Sequence, residues 1–248
     1  MRIAALYDIH GNLPALEAVL AEIDDVGVDH IVVGGDVVPG PMPRETIAAL
    51  RAVPVPIHFI HGNGERDTIT MSTGVAVHTV PQQARAVVRW VTEVLTPAEI
   101  ALFREWPQTY RIALPGVGDV LFCHATPRSD REIFTARTPE ERLLPIFDAA
   151  SAAVVICGHT HMQFDRMVGK TRVVNAGSVG MPFGNPGAYW ALIGDDVALR
   201  HTSYDVAAAA DRIRATAYPN ASEFAANHVE RPPTEAAMLE LFEQAALR

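Results

Sequence analysis

Seven polar residues that come just after short apolar runs have side chains of the kinds that bind divalent metal ions. Two are carboxylates, four are imidazoles and one is an amide: Asp8, His10, Asp36, Asn63, His124, His159 and His161. Oxygen and nitrogen ligands without thiolate suit manganese, iron, zinc, cobalt or nickel better than magnesium or calcium. Seven ligands are too many for one tetrahedral ion, but they fit two metals that share a carboxylate and clamp a phosphoryl group. The alternative is a set of unrelated residues that cap strand ends.

Short apolar runs precede these residues and predict the strands that position them. The runs cover residues 3–7, 31–33, 57–60, 120–123, 154–157 and 173–174. Unbroken runs of this length are typical of strands buried on both faces of an α/β protein, and such folds build their sites at the carboxyl ends of the strands. Asp8 and His10 are two residues apart, as are His159 and His161, so each pair should point to one side.

Helices are predicted between several of these runs. Apolar residues at helical spacing follow Asn12, which is a candidate cap. Thr96 and Thr138 each open a capping box with proline at the first helical position. The alternation of strands and helices predicts an α/β fold.

The C-terminal part of the chain is predicted to be helical. One helix should begin at Asp205 and run to about residue 217, and another should cover residues 234–247. We therefore predict a catalytic domain over residues 1–204 and a helical C-terminal extension of the same domain over residues 205–248. Its apolar residues should pack in the core, although they could instead cover the site or form a dimer contact.

Composition limits the class of protein. The chain has 248 residues, of which 49% are hydrophobic, and its formal net charge is −9. This predicts a folded protein and disfavours nucleic acid as a partner. No apolar run reaches the ~18–20 residues of a membrane span, and the N-terminus lacks the apolar stretch of a signal peptide. Cys123 and Cys157 lie in apolar runs, as buried thiols of a reducing compartment do, so we predict a cytoplasmic protein with no membrane partner.

The order and spacing of these residues resemble the motif set of the calcineurin-like metallophosphoesterases. The matching motifs are Asp8-Ile9-His10-Gly11-Asn12, Gly35-Asp36, Gly62-Asn63, His124 and Gly158-His159-Thr160-His161. Residues 124–130 and 175–180 further resemble the small bacterial and archaeal phosphodiesterase-like branch of that family.

The resemblance implies a four-layer α/β/β/α sandwich with two divalent metal ions at the strand ends. It allots the ligands as Asp8, His10 and His161 to the first metal, Asn63, His124 and His159 to the second, and Asp36 to both. Manganese is the favoured metal, with iron, zinc, nickel or cobalt as alternatives. A metal-bridging hydroxide is implied as the nucleophile, so Asp36, His124 and His159 count as catalytic as well as ligating residues.

One motif departs from the family pattern at Gly64. The family has Gly-Asn-His followed by an acid, whereas this sequence reads Gly62-Asn63-Gly64-Glu65, so a histidine that assists the leaving group is missing. A positioned general acid contributes about 10²–10⁴ in rate. We therefore expect phosphoanhydrides or activated phosphodiesters, whose leaving groups are stable anions, rather than phosphomonoesters. Gly64 should also leave space for a bulky leaving group, and Arg66 should pair with Glu65 or Asp67.

A few residues near the motifs are candidates for substrate contacts. Asn12 is either a helix cap or a support for the site, or both. His61 could share the metal face, with a packed or exposed histidine as the alternative. Arg128 could grip a phosphate, or it could be a solvated cation or pair with Asp130. The turn-rich segment 180–187 either rims the site or is only a connection.

The leading prediction is a dimetal hydrolase whose partner is a small phosphorylated molecule, such as a dinucleotide. The runner-up is a protein or phosphomonoester phosphatase, which the glycine at position 64 disfavours. From another class, a metal-free interaction scaffold is disfavoured by the intact ligand set. A non-catalytic metal-binding scaffold would keep these ligands and is the remaining alternative, although a metal sensor has no need of a bridged pair. A homo-oligomer is compatible with the sequence.

Overall fold

Two five-stranded sheets form the centre of the protein in the computed structural model, which describes residues 1–75, 80 and 82–246. The first sheet contains β1 (Ile3–Leu6), β2 (His30–Val33), β3 (Ile57–Phe59), β9 (Ala188–Ile193) and β10 (Val197–Thr202). Its strand order is β10-β9-β1-β2-β3. The three strands that come first in the chain are parallel, and β9 and β10 are antiparallel additions at one side.

The second sheet is mixed in the same way. It contains β4 (Thr109–Leu114), β5 (Gly118–Cys123), β6 (Val154–Cys157), β7 (Phe164–Val168) and β8 (Thr171–Asn175). Its order is β4-β5-β6-β8-β7, with β5, β6 and β8 parallel at the centre and β4 and β7 antiparallel at the edges. Each of the six predicted apolar runs therefore lies in one of the strands.

Helices connect the strands and form the C-terminal extension. Within the described residues they are α1 (Leu13–Val26), α2 (Pro43–Ala52), α3 (Asn63–Ser72), α4 (Arg85–Val94), α5 (Pro97–Glu105), α6 (Glu140–Ala150), α7 (Val206–Arg214), α8 (Ala221–Phe224) and α9 (Glu235–Ala245). A 3₁₀ turn covers Gln82–Ala84, and a π-helical segment covers Ala225–Glu230. In the part of the chain that the structure describes, no helix combines the length and the apolar character needed to cross a membrane.

The side chains of β1 show how the layers are stacked. Ala4 and Leu6 face outward and pack in one cluster with α1, whereas Ile3 and Ala5 face inward and pack against β5 and β6 of the second sheet. This is the alternation that a strand buried on both faces requires. The outer face of the second sheet, including Leu121, packs against α6. The four layers are therefore helices, sheet, sheet and helix, and the predicted α/β/β/α sandwich is confirmed.

The C-terminal extension is only partly packed in the core. Helix α7 buries Ala209, Ala210 and Ile213 in a cluster that also contains Leu13 of α1. Helix α9, in contrast, has no buried residue, so the expectation that its apolar residues pack in the core is wrong. The predicted end of that helix at residue 247 lies outside the described residues.

The two predicted capping boxes have different outcomes. Thr96 caps α5, since its side chain accepts a hydrogen bond from Glu99 N, and the Glu99 carboxylate accepts one from Thr96 N. Thr138 does not cap α6, because its Oγ1 accepts from Thr135 N at 2.9 Å and the helix begins after Pro139. The first prediction is confirmed and the second is wrong.

Candidate metal centre

The seven predicted ligands meet at the carboxyl ends of the parallel strands. They come from the loops after β1, β2, β5 and β6 and from the first residue of α3, and they lie on both sheets of the sandwich. Parallel strands end at the same edge, so residues far apart in the chain are brought together there. The motifs, which are spread along the chain, therefore form a single cluster in the fold.

One part of the cluster consists of Asp8, His10 and His161. A ligand atom from each lies within 4.8 Å of the others. Asp8 Oδ1 is 3.3 Å from His161 Nε2, and the Nε2 atoms of His10 and His161 are 3.3 Å apart. These are the residues that the resemblance allots to the first metal.

A second part consists of Asn63, His124 and His159. The amide end of Asn63 lies 3.2 Å from His124 Nε2 and 3.0 Å from His159 Nδ1. Without a cation, the Asn63 amide NH₂ would face these two ring nitrogens, because it can donate hydrogen bonds to both. With a cation between the rings, the amide oxygen would face the cation instead. The geometry therefore suits a metal that Asn63 binds through oxygen.

Asp36 lies between the two parts. Its Oδ2 is 3.8 Å from His10 Nε2, and its Oδ1 is 3.6 Å from His124 Nε2. Asp8 is also close to both parts, because its Oδ1 is 3.9 Å from His124 Nε2. A carboxylate whose two oxygens face different groups of ligands is placed as a bridging ligand must be.

Backbone carbonyl groups fix the protonation of three histidines. Nδ1 of His10, His124 and His161 lies 3.1, 2.9 and 2.7 Å from the carbonyl oxygens of Pro39, Gly34 and Met181. A carbonyl oxygen only accepts, so each Nδ1 carries a proton, and each ring in its neutral form presents the Nε2 lone pair to the centre. Metal-ligating histidines are commonly oriented by such bonds.

The residues fit a cation, because their polar atoms are otherwise poorly matched. Asp8 is fully buried, and among the described residues its Oδ1 has no hydrogen-bond donor, although it faces the lone pairs of the histidines. Burial lowers the pKa of His10 and of His159 to about 3, so both rings are neutral, as ligation requires. Burial and the charge of Asp8 raise the pKa of Asp36 well above its usual range. A cation would relieve this repulsion between the carboxylates.

The backbone at the ligands has an uncommon conformation. In the described part of the chain, the non-glycine residues with positive φ are Asp8, His10, Asp36, Ser151, His159 and His161. All but Ser151 are predicted ligands, with φ between 47° and 66°. Aspartate and histidine tolerate this region better than most residues, yet it still costs free energy and is concentrated at functional sites.

Glu65 supports the centre in a way that the sequence analysis missed. It is fully buried, and its carboxylate accepts hydrogen bonds from the backbone N–H groups of Asp36 (2.9 Å), Val38 (3.2 Å) and Gly62 (2.7 Å). Burial and Asp36 raise its pKa to about 7. The sequence feature that indicates this role is the position of Glu65 as the acid of the Gly62-Asn63-Gly64-Glu65 motif.

Gly64 does not leave space beside the metals. A Cβ atom built at this position would lie 1.9 Å from the carbonyl oxygen of Val38 and 2.9 Å from Pro39 Cδ. The expected cavity is therefore absent at this position, because the backbone of residues 38–39 fills it. The close approach also lets Gly64 N donate to Asp36 Oδ1 at 2.7 Å, which holds the bridging candidate in place.

Asn12 is a buried residue that caps α1. It is fully buried, its Oδ1 accepts from Ala15 N at the start of α1, and its Nδ2 donates to Gly180 O at 2.9 Å. Both ends of the amide are thus used inside the protein. The helix cap is confirmed, and a substrate contact by Asn12 stays a prediction.

The cations near the site have other partners than expected. Arg66 pairs with the buried carboxylate of Asp130 at 2.8 Å, so its predicted pairing with Glu65 or Asp67 is wrong. Arg128 is exposed and pairs with Glu132 at 2.7 Å instead of Asp130. His61 Nδ1 lies 3.7 Å from Asp130 Oδ2, beyond hydrogen-bond distance. Phosphate contacts by His61 and Arg128 stay predictions.

The segment 180–187 rims the centre. Gly180 N donates to Asp8 O at 3.0 Å, and the carbonyl oxygen of Met181 faces His161 Nδ1. The ring of Phe183 stacks on that of His161, with 5.5 Å between the centroids. Of the two alternatives for this segment, the structure supports the rim.

Comparisons with known proteins agree with this geometry. Residues 1–196 match the model of the calcineurin-like phosphoesterase superfamily domain. Hypothetical protein PH1004 from Pyrococcus horikoshii OT3 has the same fold, with a TM-score of 0.77 and 22% identity over 94% of this chain and 99% of that chain. A metallophosphoesterase from Sphaerobacter thermophilus gives a TM-score of 0.68 and 26% identity over 92% of this chain and 99% of that chain. No curated protein matches the chain.

Proposed function

Since the chain belongs to the calcineurin-like phosphoesterase superfamily, we propose that it is a dimetal-dependent phosphoesterase that hydrolyses phosphodiester or phosphoanhydride bonds in small nucleotide-like substrates. The observation that carries the proposal is the position of Asp36. Its two oxygens face His10 on one side and His124 on the other, at 3.8 and 3.6 Å. A shared carboxylate is what distinguishes a dinuclear centre from a single ion.

The chain's own residues would hold the metals and keep the centre rigid. Asp8, His10 and His161 would hold one ion, Asn63, His124 and His159 the other, and Asp36 both. Bound divalent ions at such a site supply Lewis acidity and lower the pKa of water. The backbone carbonyl groups that accept from Nδ1 orient the histidine rings. The backbone N–H of His159 donates to Asp8 Oδ2 at 2.8 Å, which fixes that carboxylate. Manganese is the proposed metal, with iron, zinc, nickel or cobalt as alternatives.

The absence of the family's histidine at position 64 supports substrates with good leaving groups. Gly64 has no side chain to protonate a leaving oxygen, and such an acid contributes about 10²–10⁴ in rate. Esters of acidic alcohols and anhydrides therefore suit the site better than alkyl phosphomonoesters. We also propose a cytoplasmic location, which the two buried free thiols of Cys123 and Cys157 support.

Turnover of three substrates by the manganese-loaded protein tests the proposal: an aryl phosphodiester, an aryl phosphomonoester and diadenosine tetraphosphate. We expect activity on the diester or the dinucleotide. Asp36→Asn should lower it by more than about a hundredfold, since losing a residue that only supports a metal ligand already costs about 10- to 100-fold. The exposed Asp25→Asn is the matched control and should keep full activity.

Elemental analysis of the same samples separates the outcomes. About two metals per chain in the wild-type protein, and fewer in Asp36→Asn, would support the shared bridge. Metal-loaded protein that is silent on all three substrates would favour the non-catalytic scaffold. Preferred hydrolysis of the monoester would favour the phosphatase alternative.

A further inference from the structure

A cleft of ≈ 370 Å³ lies beside the candidate metal centre, and the C-terminal extension forms one of its walls. This volume is within the range of small-molecule sites, about 300–1,000 Å³. The lining includes His10 of the candidate metal centre and five residues of the extension: Tyr218, Asn220, Glu223, Phe224 and His228. Pro39, Ala84, Val87 and Met181 complete the described lining. A group attached to a phosphorus atom at the centre would extend into it.

Packed aromatic rings build the wall that the extension contributes. Trp90 and Tyr218 meet edge to face with centroids 5.4 Å apart, and Tyr218 and Phe224 do so at 5.9 Å. Tyr218 and Phe224 are only 8% and 4% exposed. Rings fixed in this way present a rigid apolar surface, which is suited to another ring.

His228 adds a polar group that has no partner in the fold. Its Nδ1 is buried and has no hydrogen-bond partner within the described residues, and its ring lies 5.2 Å from that of Phe224. It belongs to the π-helical segment Ala225–Glu230, and π-helical turns are rare and frequently occur at functional sites. An unpaired buried nitrogen costs free energy, so a ligand in the cleft that pairs with it after a rotation of the His228 ring gains affinity.

The charge of the described lining residues disfavours a second phosphate in the cleft. None of the described residues that line it is a lysine or an arginine, and Glu223 is acidic. A polyphosphate chain would be repelled, whereas a neutral ring with hydrogen-bonding atoms would be complementary to the apolar wall, Asn220 and His228.

We propose that this cleft binds the neutral aromatic group of the substrate, a nucleoside or aryl group esterified to the phosphorus. His228 and Asn220 hydrogen-bond to its heteroatoms, and Phe224 and Tyr218 contact its ring. The inference rests on the proposed function, because the metal centre positions the phosphorus. It narrows the substrate class to phosphodiesters with an aromatic substituent and disfavours dinucleoside polyphosphates.

Binding of two product-like probes tests this inference without turnover. Isothermal titration calorimetry on the manganese-loaded protein would compare AMP with ribose 5-phosphate, which carry the same phosphate and sugar but differ in the base. We expect AMP to bind about tenfold more tightly, because a ring contact and a hydrogen bond are added. His228→Ala and Asn220→Ala should each reduce this preference with no change in metal content.

His30→Ala is the matched control, since His30 also has an unpartnered buried Nδ1 among the described residues but lies on β2, outside the cleft. It should keep the preference for AMP. Thermal unfolding of the His228→Ala protein shows whether the fold is retained. His228→Gln keeps a hydrogen-bonding side chain at this position and should retain more of the preference for AMP than His228→Ala. Equal affinity for AMP and ribose 5-phosphate, or a preference for AMP that survives both cleft substitutions, would overturn the inference. Neither result would contradict the proposed phosphodiesterase function. Metal-loaded protein that hydrolyses no phosphoester would overturn the proposed function and this inference with it.

Discussion

Among single residues, Gly64 makes one of the close backbone contacts of the site. The N–H of Gly64 donates to Asp36, and the Val38 carbonyl occupies the place of a side chain. Gly64→Ala should therefore lower the free energy of unfolding by about 2 kcal/mol or more, because overpacking forces the backbone apart. Metal content should fall as well, since Asp36 loses its donor. Denaturant unfolding and elemental analysis measure the two effects.

Gly194→Ala is the control for this substitution, because a Cβ there would meet only Arg2 Cγ at an ordinary 3.4 Å. Its stability should change by less than about 0.5 kcal/mol. Gly64→His, which restores the family motif, should be no more active than the wild-type protein. A stable and faster Gly64→His variant would contradict this account of the glycine.

Glu65 is a residue beside the predicted ligands whose loss should cost considerable stability. Glu65→Ala removes the acceptor of three buried N–H groups and should lower the free energy of unfolding by about 3 kcal/mol or more. Glu65→Gln keeps one acceptor oxygen and should cost less. The exposed Glu141→Ala is the control, and an equal loss in both alanine variants would show that the buried bonds do not matter.

Residue types at strand ends were enough to predict the ligand cluster, because side chains that follow parallel strands must meet. The partners of Arg66 and Arg128 could not be predicted in this way. Sequence neighbours were the only candidates for Arg66, yet the fold brings Asp130 to it from a distant loop. Contacts of that kind depend on loop geometry rather than on spacing.

Among the elements, the strands that are followed by a motif were predictable and the others were not. Strands β4, β7 and β10 lie at sheet edges and mix buried with half-buried or exposed residues, so their sequences combine apolar with polar residues. Strand β9 is interior and its second residue is a half-buried tyrosine, but it follows a turn-rich segment and no predicted site residue comes after it. The sequence therefore indicated the parallel strands of the two sheets and not the antiparallel strands β4, β7, β9 and β10.

The C-terminal helices should differ sharply in what they contribute to stability. Deleting residues 234–248 should cost about 1 kcal/mol or less, because α9 has no buried residue. Deleting residues 205–248 should abolish folding, because the cluster of Ala209, Ala210 and Ile213 with α1 is lost. Circular dichroism and thermal unfolding of the two truncated proteins give the comparison. A folded short form would contradict the packing role of α7.

For the molecule as a whole, the metal centre joins the two sheets and should couple metal binding to stability. The ligands come from loops of both sheets, so unfolding separates them. Metals bound at about 1,000 times their dissociation constant should add about 4 kcal/mol. Thermal unfolding with and without a chelator measures this difference, and Asp36→Asn should respond less. An identical melting temperature in both conditions would contradict the coupling.

The role of the C-terminal extension in the cleft is a property of the whole fold. Composition and periodicity indicated helices after residue 205, but nothing in their sequence shows that Tyr218 and His228 come next to His10. The π-helical segment was also beyond prediction, because its sequence has no feature that separates it from an α-helix. Long-range packing decides both.

The left-handed backbone at five of the ligands has a consequence for directed evolution. Glycine adopts this conformation without strain, so selection for thermal tolerance in the absence of metal would favour glycine at Asp8, His10, Asp36, His159 and His161. Each such gain would remove a ligand. Variants enriched only for heat resistance should thus lose metal first, and a screen for a hardier catalyst must reward turnover at the same time.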